Sequence, residues 1–201
     1  MELFFCYNLW CVKKYVYRLR NFRISDQEPM KIDVRQASVD DAQLLSEMGA
    51  LMFDASFGQF NRPEDMQTYL EKSFNQEVIS ADLQSDNTIY LLVLLAEQVI
   101  GYAKVCLSQA PDSVPGRNPV ELARIYIDLA YSSMGYGSQL MDACLEAARR
   151  LEGDTLWLGV WERNEAAIRY YRRWGFESVG TMEFMLGNDV QNDYVMAREI
   201  G

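Results

Sequence analysis

The sequence predicts an α/β (α+β) fold in which a mixed, largely antiparallel central sheet of about six or seven strands is flanked by helices. Apolar or alternating runs of strand length are interleaved with stretches whose apolar residues recur at helical spacing. The strand-like runs occur both as hairpins and as strand–helix–strand units, a mixture that a purely parallel sheet does not produce. The chain has 201 residues, 49% apolar and 12% aromatic, enough to bury a sizeable core.

Ile32-Asp33-Val34-Arg35 alternates as a short strand, and Ser38-Val39-Asp40-Asp41 offers a cap before Leu44, Leu45, Met48, Leu51 and Met52 at helical spacing. Pro63 opens a second helix at its tolerated first-turn position, with Met66, Tyr69, Leu70 and Phe74 on one face. A third short helix is expected from Gln76 to Leu83. Thr88 to Leu95 and Val99 to Leu107, broken at Glu97-Gln98, form a hairpin, and Gln109 to Pro119 is a loop. There follow a strand (Val120 to Asp128), a glycine turn, a helix (Gly135 to Leu151), a strand (Thr155 to Trp161) and a helix (Glu165 to Trp174). Two strands (Ser178 to Leu186, Asp193 to Glu199) close the order. No internal repeat is visible, and residues 30–201 are expected to form a single domain.

The first twenty-nine residues differ in composition from the rest. They carry five basic and three acidic residues, which leaves 14 basic against 26 acidic for residues 30–201, a net of −12. The apolar stretch from Leu3 to Val12 is interrupted by Asn8 and is far shorter than the ~20 residues that span a bilayer. Glu2 precedes it and Lys13-Lys14 follow it, the reverse of a signal peptide. Two readings remain: an aromatic, basic appendage that packs on the domain or touches a membrane surface, or a segment upstream of the natural start. The break at Met30-Lys31-Ile32 favours the second.

Composition removes several function classes. The chain has no histidine, which excludes a Ser-His-Asp triad, a Cys-His dyad and a His-ligated metal. Cys6, Cys11, Cys106 and Cys144 lack the paired spacing of a zinc site and are too sparse for a disulfide scaffold. They read as reduced thiols of a cytoplasmic protein. The net charge of −10 disfavours attachment to nucleic acid or an anionic membrane and favours small cationic partners, although acidity for solubility gives the same balance.

Ile125-Tyr126-Ile127 runs into Ser132-Ser133-Met134-Gly135-Tyr136-Gly137-Ser138, after which Leu140, Met141, Cys144, Leu145 and Ala148 mark the buried face of a long helix. Where a strand becomes a helix, the N–H groups of the first turn lack intrahelical acceptors, and glycine lets a phosphate approach them. A dinucleotide fingerprint would need glycine at Leu140, and a P-loop would need Gly-Lys-Ser/Thr; neither is present. A tight structural turn remains the alternative.

A second constellation, Asn164-Glu165-Ala166-Ala167-Ile168-Arg169-Tyr170-Tyr171-Arg172-Arg173-Trp174-Gly175-Phe176, follows downstream. A strand leading to S-x-x-G-x-G and then to N-x-x-A-x-x-x-Y-x-x-x-G-F resembles the GNAT superfamily of acetyl-CoA-dependent N-acetyltransferases, over about Met30 to the C-terminus. Within it the chain is most similar to PaiA-type spermidine/spermine acetyltransferases. That likeness rests on Ala42 to Phe53, Pro63 to Glu71, Arg124 to Ile127 and Leu156 to Glu162. Ser132 stands where the family usually has Gln or Arg, which bears on cofactor affinity.

The resemblance implies that Ile125, Tyr126 and Ile127 line the pantetheine arm through main-chain groups exposed where their strand splays from its neighbour. It implies that Ser132, Ser133, Met134, Gly135, Tyr136, Gly137 and Ser138 cradle the pyrophosphate, and that Asn164 hydrogen-bonds the cofactor arm. Tyr171, seven residues after Asn164, matches the tyrosine beside the cofactor sulfur and is expected to donate to the departing thiolate; Tyr170 is expected to pack. Glu121 matches a position that carries a general-base glutamate in some members, and it reads equally as a solvated strand-end residue. Trp161, Glu162 and Arg124 are candidate substrate-binding residues, since an aromatic face and a carboxylate can bind a polycation by cation–π and charge attraction.

An alkylammonium has a pKa of ~10.4, so exposing a neutral nitrogen near pH 7 costs roughly 4–5 kcal/mol. A carboxylate accepts such a proton more readily through water than directly. The expected reaction is direct acetyl transfer from acetyl-CoA to a polyamine nitrogen through a tetrahedral intermediate, with no covalent acetyl-enzyme and no metal. Other acceptors (an amino acid, a drug amine, a protein N-terminus) and a noncatalytic acyl-CoA sensor are the alternatives. Oligomeric state stays open, a homodimer included.

Overall fold

The computed structural model describes residues 32–132 and 134–201; the readings for residues 1–29 and for Ser133 lie outside the described residues. Seven strands form one sheet: β1 (Ile32–Gln36), β2 (Thr88–Leu95), β3 (Gln98–Cys106), β4 (Pro119–Ile127), β5 (Thr155–Trp161), β6 (Glu177–Leu186) and β7 (Asp189–Glu199). Among the described residues five α-helices accompany it: α1 (Ala42–Phe57), α2 (Pro63–Ser73), α3 (Gln76–Gln84), α4 (Tyr136–Arg150) and α5 (Glu165–Arg173). The strand order is β1-β2-β3-β4-β5-β7-β6. Every pair is antiparallel except β4 with β5, which are joined through α4, the kind of helical crossover that parallel strands require.

Local chemistry fixes the element ends. Asp41 accepts from the Ser38 backbone at 2.8 Å and from both guanidinium nitrogens of Arg35 at 2.8 and 2.7 Å, locking β1 to the turn that starts α1. Pro63 sits in the first turn of α2, and the Asn75 side chain accepts from Glu77 N at 2.7 Å to cap α3. The β2–β3 turn is Ala96-Glu97, with Ala96 at φ 55° and Leu95 paired to Gln98, so the break falls one residue earlier than Glu97-Gln98. Strand β7 likewise begins at Asp189 rather than Asp193. Gly187 at φ 62° makes a two-residue turn with Asn188, whose N–H donates to buried Asp65 at 2.8 Å and anchors the hairpin to α2.

The sheet buries both faces. On one, Leu140, Met141, Cys144, Leu145 and Ala148 of α4 and Ile168 of α5 pack on Val93, Ile100, Val105, Val120, Leu122, Leu156 and Leu158. On the other, Leu45 and Met48 of α1 and Ile79 of α3 cover Tyr90, Leu92 and Tyr102. Phe53 of α1, Met66 of α2, Phe74 and Leu186 of β6 form an adjoining cluster. Phe53 stacks on Tyr69 with ring centroids 4.6 Å apart, and Tyr69 meets Phe184 of β6 at 5.4 Å, which brings α1 and α2 over the β6–β7 end of the sheet.

Candidate active site

The sheet is nearly two sheets. β4 pairs with β5 only at Pro119, Val120 and Glu121, opposite Thr155, Leu156 and Trp157. Past Glu121 and Trp157 the strands part, and the facing main-chain groups of 122–127 and 158–161 have no strand partner. The expected splay at Ile125-Tyr126-Ile127 is therefore present. A bulge accompanies it: Lys104 pairs with Arg124 but Val105 with Leu122, leaving Ala123 as an extra residue on β4. Bulges bend and twist the strand that carries them and shift its alternation. Val120 and Leu122 face α4, and after the bulge so do Ile125 and Ile127. Arg124 and Tyr126 are thereby turned to the opposite face, which Glu121 shares.

The mouth of this cleft is the start of α4. Gly135 holds φ 83° as the N-cap, and a Cβ there would meet nothing within 4 Å. A Cβ on Gly137 would meet only the Tyr170 hydroxyl, at 3.6 Å. The first turn is thus open to an approaching anion, and the N–H groups of Tyr136 and Gly137 have no acceptor within the helix. Tyr136 is 4% exposed with its ring in the core, so it offers backbone only. Ser138 N donates to Gly135 O at 3.1 Å, and Ser132 Oγ donates to Leu129 O at 2.9 Å, closing the turn before the cradle. Met134 packs on the core cluster beneath.

Asn164 caps α5: its side-chain oxygen accepts from Ala167 N at 3.1 Å, which leaves the amide NH2 to donate elsewhere. Tyr171 lies partly buried between Tyr170 and Phe176, with centroids 5.6 and 5.8 Å away. Burial first, and then neighbouring Tyr170, raises its pKa well above that of a free phenol, so it holds its proton. Tyr170 does more than pack. Its hydroxyl donates to the Gly137 carbonyl at 2.8 Å, joining α5 to the first turn of α4.

On the opposite face Glu121 lies between Trp157 and Cys106, whose Sγ is 4.0 Å from Glu121 Oε2. Burial, then the Glu121 charge, pushes the Cys106 thiol up to about 11, and burial raises Cys144 further. Arg124 is committed elsewhere: Nη2 donates to Ser73 O at 2.9 Å and the guanidinium sits 4.1 Å over the Phe74 ring, tying β4 to the end of α2. Trp161 closes the far end of β5, with Phe60 and Phe57 centroids 5.4 and 6.3 Å away and Arg163 over its ring at 5.9 Å. Glu162 follows it. Asp193 of β7, opposite Trp161, was not among the expected site residues; it is 8% exposed, and its Oδ1 has no hydrogen-bond partner among the described residues. Burial, then Glu162, pushes its carboxyl up to about 6. A signal existed in the sequence, since Asp193 shares the strand parity of Val195 and Ala197, both buried.

The parallel pair opens beside a glycine-rich helix start, and the helix that follows β5 carries the capping Asn164 and the protonated Tyr171. Residues 52–176 match the model of the acetyltransferase (GNAT) family. The chain belongs to this family. An uncharacterized N-acetyltransferase from the pepI 3' region of Lactobacillus delbrueckii subsp. lactis is 31% identical over 148 residues, 74% of this chain and 86% of that one. The spermine/spermidine N(1)-acetyltransferase of Bacillus subtilis is 28% identical over 103 residues, 51% of this chain and 64% of that one. In fold, the chain is similar to the PaiA N-acetyltransferase of Thermoplasma acidophilum in complex with coenzyme A. The TM-score is 0.68 at 17% identity, over 85% of this chain and 99% of that one.

As a GNAT acetyltransferase, the protein uses acetyl-CoA as its cosubstrate. The open cradle at Gly135 and Gly137 fits a pyrophosphate, and the unpaired edge of β4 fits an extended amide-bearing arm. Among the described residues, no group of three or more Cys, Asp or Glu side chains is placed to hold a metal ion, and no helix is long and apolar enough to cross a membrane.

Proposed function

We propose that this acetyltransferase modifies a primary amine of a polyamine such as spermidine or spermine by direct transfer. One observation carries the choice of a cationic acceptor. The sheet face opposite the glycine cradle brings the Glu121 carboxylate, the buried Asp193 carboxylate and the Trp161 ring to the strands that part. Carboxylates and a half-buried aromatic ring are what a chain of ammonium groups and methylenes binds. The partial likeness to the Bacillus subtilis spermine/spermidine enzyme agrees with this.

In this reading the main chain of Ile125, Tyr126 and Ile127 hydrogen-bonds the pantetheine arm, and Asn164 donates its free amide to the same arm. The backbone of Ser132 to Ser138 holds the pyrophosphate. Glu121 receives the amine proton through water as the nitrogen bonds to the acetyl carbon. Tyr171 donates its phenolic proton to the sulfur as the C–S bond breaks, so the products are the amide and the free thiol of coenzyme A. Cys144 is fully buried and Cys106 nearly so, both with raised pKa, which supports transfer without an acetyl-thiol intermediate on the enzyme. Buried free thiols also agree with a reducing compartment, the cytoplasm in this reading.

The test is thiol release from acetyl-CoA with spermidine, spermine, lysine, an aminoglycoside, a peptide N-terminus and a no-amine blank, followed by product mass. Polyamine-dependent release with a one-acetyl mass gain is expected. Release only with another amine would replace the acceptor while keeping the roles of Glu121 and Tyr171 open to mutation.

A further inference from the structure

The buried side-chain polar atoms without a partner among the described residues are Tyr102 Oη, Trp157 Nε1 and Asp193 Oδ1, and all three belong to the acceptor-side face of the sheet. A neutral hydroxyl or indole in that position costs little beside an unpaired carboxylate, for which burial without a cation is among the more expensive arrangements in a protein. Asp193 lies in the interior of the sheet, between Trp161 of β5 and Met182 of β6, with no basic side chain bonded to it among the described residues. Evolution ordinarily fills such a place with an apolar residue, as at Val195 and Ala197 two and four positions on.

Gly159 shows where the missing cation would come from. It stands in the middle of β5 between buried Leu158 and Val160, yet it is exposed. It shares the face of Trp157 and Trp161, beyond the point where β4 departs. An atom at the Cβ position over Gly159 would lie 3.3 Å from Asp193 Oδ2 and 3.4 Å from Met182 Sδ. The bare backbone therefore leaves a passage over exposed Gly159 to Oδ2, the second oxygen of the carboxylate whose Oδ1 is unpartnered among the described residues, at close to hydrogen-bonding distance for a nitrogen. Trp161 forms one wall of that passage and is braced by Phe57 and Phe60.

We infer that Asp193, reached over Gly159 beside Trp161, is the carboxylate that binds an ammonium group of the acceptor amine. The inference rests on the reading of the acceptor as a cationic amine and adds the residue that selects for charge. Charge attraction and a charge-assisted hydrogen bond fix the nitrogen, and the Trp161 face covers the adjoining methylenes. The raised pKa of Asp193 agrees with a carboxylate held ready without its counter-ion, since a bound ammonium would draw it back down.

The experiment compares wild type, Asp193→Asn and Asp193→Glu in steady-state kinetics with spermidine and with whichever other amines the wild type acetylates, plus calorimetric titration of spermidine into protein saturated with coenzyme A. Circular dichroism checks that each variant is folded. Asp193→Asn is expected to raise KM for cationic acceptors about 10- to 100-fold and to weaken spermidine binding in parallel. KM for acetyl-CoA should stay within about twofold, and Asp193→Glu should recover part of the loss. Unchanged acceptor KM and affinity in Asp193→Asn, with wild type active on polyamines, would overturn this inference and leave the polyamine reading standing. Wild-type activity confined to uncharged acceptors would overturn both. If a different cationic amine proves to be the substrate, the polyamine reading falls, and the same comparison on that amine still decides the role of Asp193.

Discussion

The Tyr170 hydroxyl donates to the Gly137 carbonyl across 2.8 Å and thereby joins the helix that carries Tyr171 to the turn that carries the anion cradle. A helix N-terminus binds a phosphate well only when its first turn is held in place, and glycines by themselves leave that turn free to move. The hydroxyl sits 3.6 Å from where a Gly137 Cβ would be, so it closes the back of the cradle without filling its open side. Tyr170→Phe removes the bond and keeps the packing against Tyr171 and Trp174. The expected result is a KM for acetyl-CoA raised about three- to tenfold, the worth of one neutral hydrogen bond, with kcat within about twofold. Steady-state kinetics at saturating amine measure both.

Tyr171 differs from its neighbour in what it gives up. Burial holds its proton in place, and that proton is the one assigned to the departing thiolate in the proposed mechanism. Tyr171→Phe is expected to lower kcat by about 10²-fold or more, in the range of general-acid loss, while coenzyme A binding, read by calorimetry, stays within about threefold. An unchanged kcat would remove Tyr171 from the chemistry.

Glu121 stands where β4 and β5 stop pairing, beside Trp157. Glu121→Gln preserves size and removes the proton acceptor. Turnover with spermidine at pH 7 is expected to fall about 10²-fold, and to recover as pH rises and more of the amine is already neutral. A uniform loss at every pH would instead assign Glu121 to amine binding.

Much of this was legible in the sequence because the element periods are clean. The seven strands and five α-helices occur in the order that apolar spacing and caps predict, and the S-x-x-G-x-G turn opens a helix as read. What escaped depends on pairing rather than on pattern. The bulge at Ala123 exists only in the register of β4 against β3, and it decides that Arg124 and Tyr126 share a face with Glu121. Arg124 then spends its guanidinium on Ser73 and Phe74, which no local spacing reveals. Tyr170 and Tyr171 are adjacent on one helix, and which of them reaches the cradle is set by how α5 lies against α4. The first residues of β7, Val190-Gln191-Asn192, are too polar to read as strand; a tight turn at Gly187-Asn188 and the bond to Asp65 hold them.

Two aspartates should shift stability with pH in opposite directions. Asp41 is held down to about 2, first by the Arg35 hydrogen bonds and then, against some burial, by the Ser38 backbone. Its folded pKa lies below the ordinary value, so its contribution is present above about pH 4 and is lost as pH falls toward 2. Arg35 is exposed and its charge is screened by solvent, so Asp41→Asn is expected to lower Tm at pH 7 by only ~2–4 °C, with the difference shrinking in acid. Differential scanning calorimetry from pH 2 to 7 checks it.

Asp193 runs the other way. Burial, with Glu162 behind it, raises its folded pKa to about 6, above that of an unfolded aspartate near 4. The folded chain therefore binds that proton more tightly than the unfolded chain does. Its stabilising effect is complete below about pH 4 and disappears as pH climbs through 6, which means the ionised carboxylate is a liability at neutral pH. The groups that bear on it are Glu162, whose charge adds to the penalty, and the uncharged Gly159, Trp161 and Met182; Arg163 lies over the Trp161 ring. Asp193→Asn should therefore raise Tm by a few degrees at pH 7–8, with the gain fading toward pH 4. A saturating polyamine should raise the Tm of wild type, by supplying the missing cation, and do much less for the variant. A residue that costs stability where the enzyme works, and recovers it only when a cation arrives, is one retained for binding; a variant less stable than wild type at pH 8 would show that Asp193 is part of the scaffold instead.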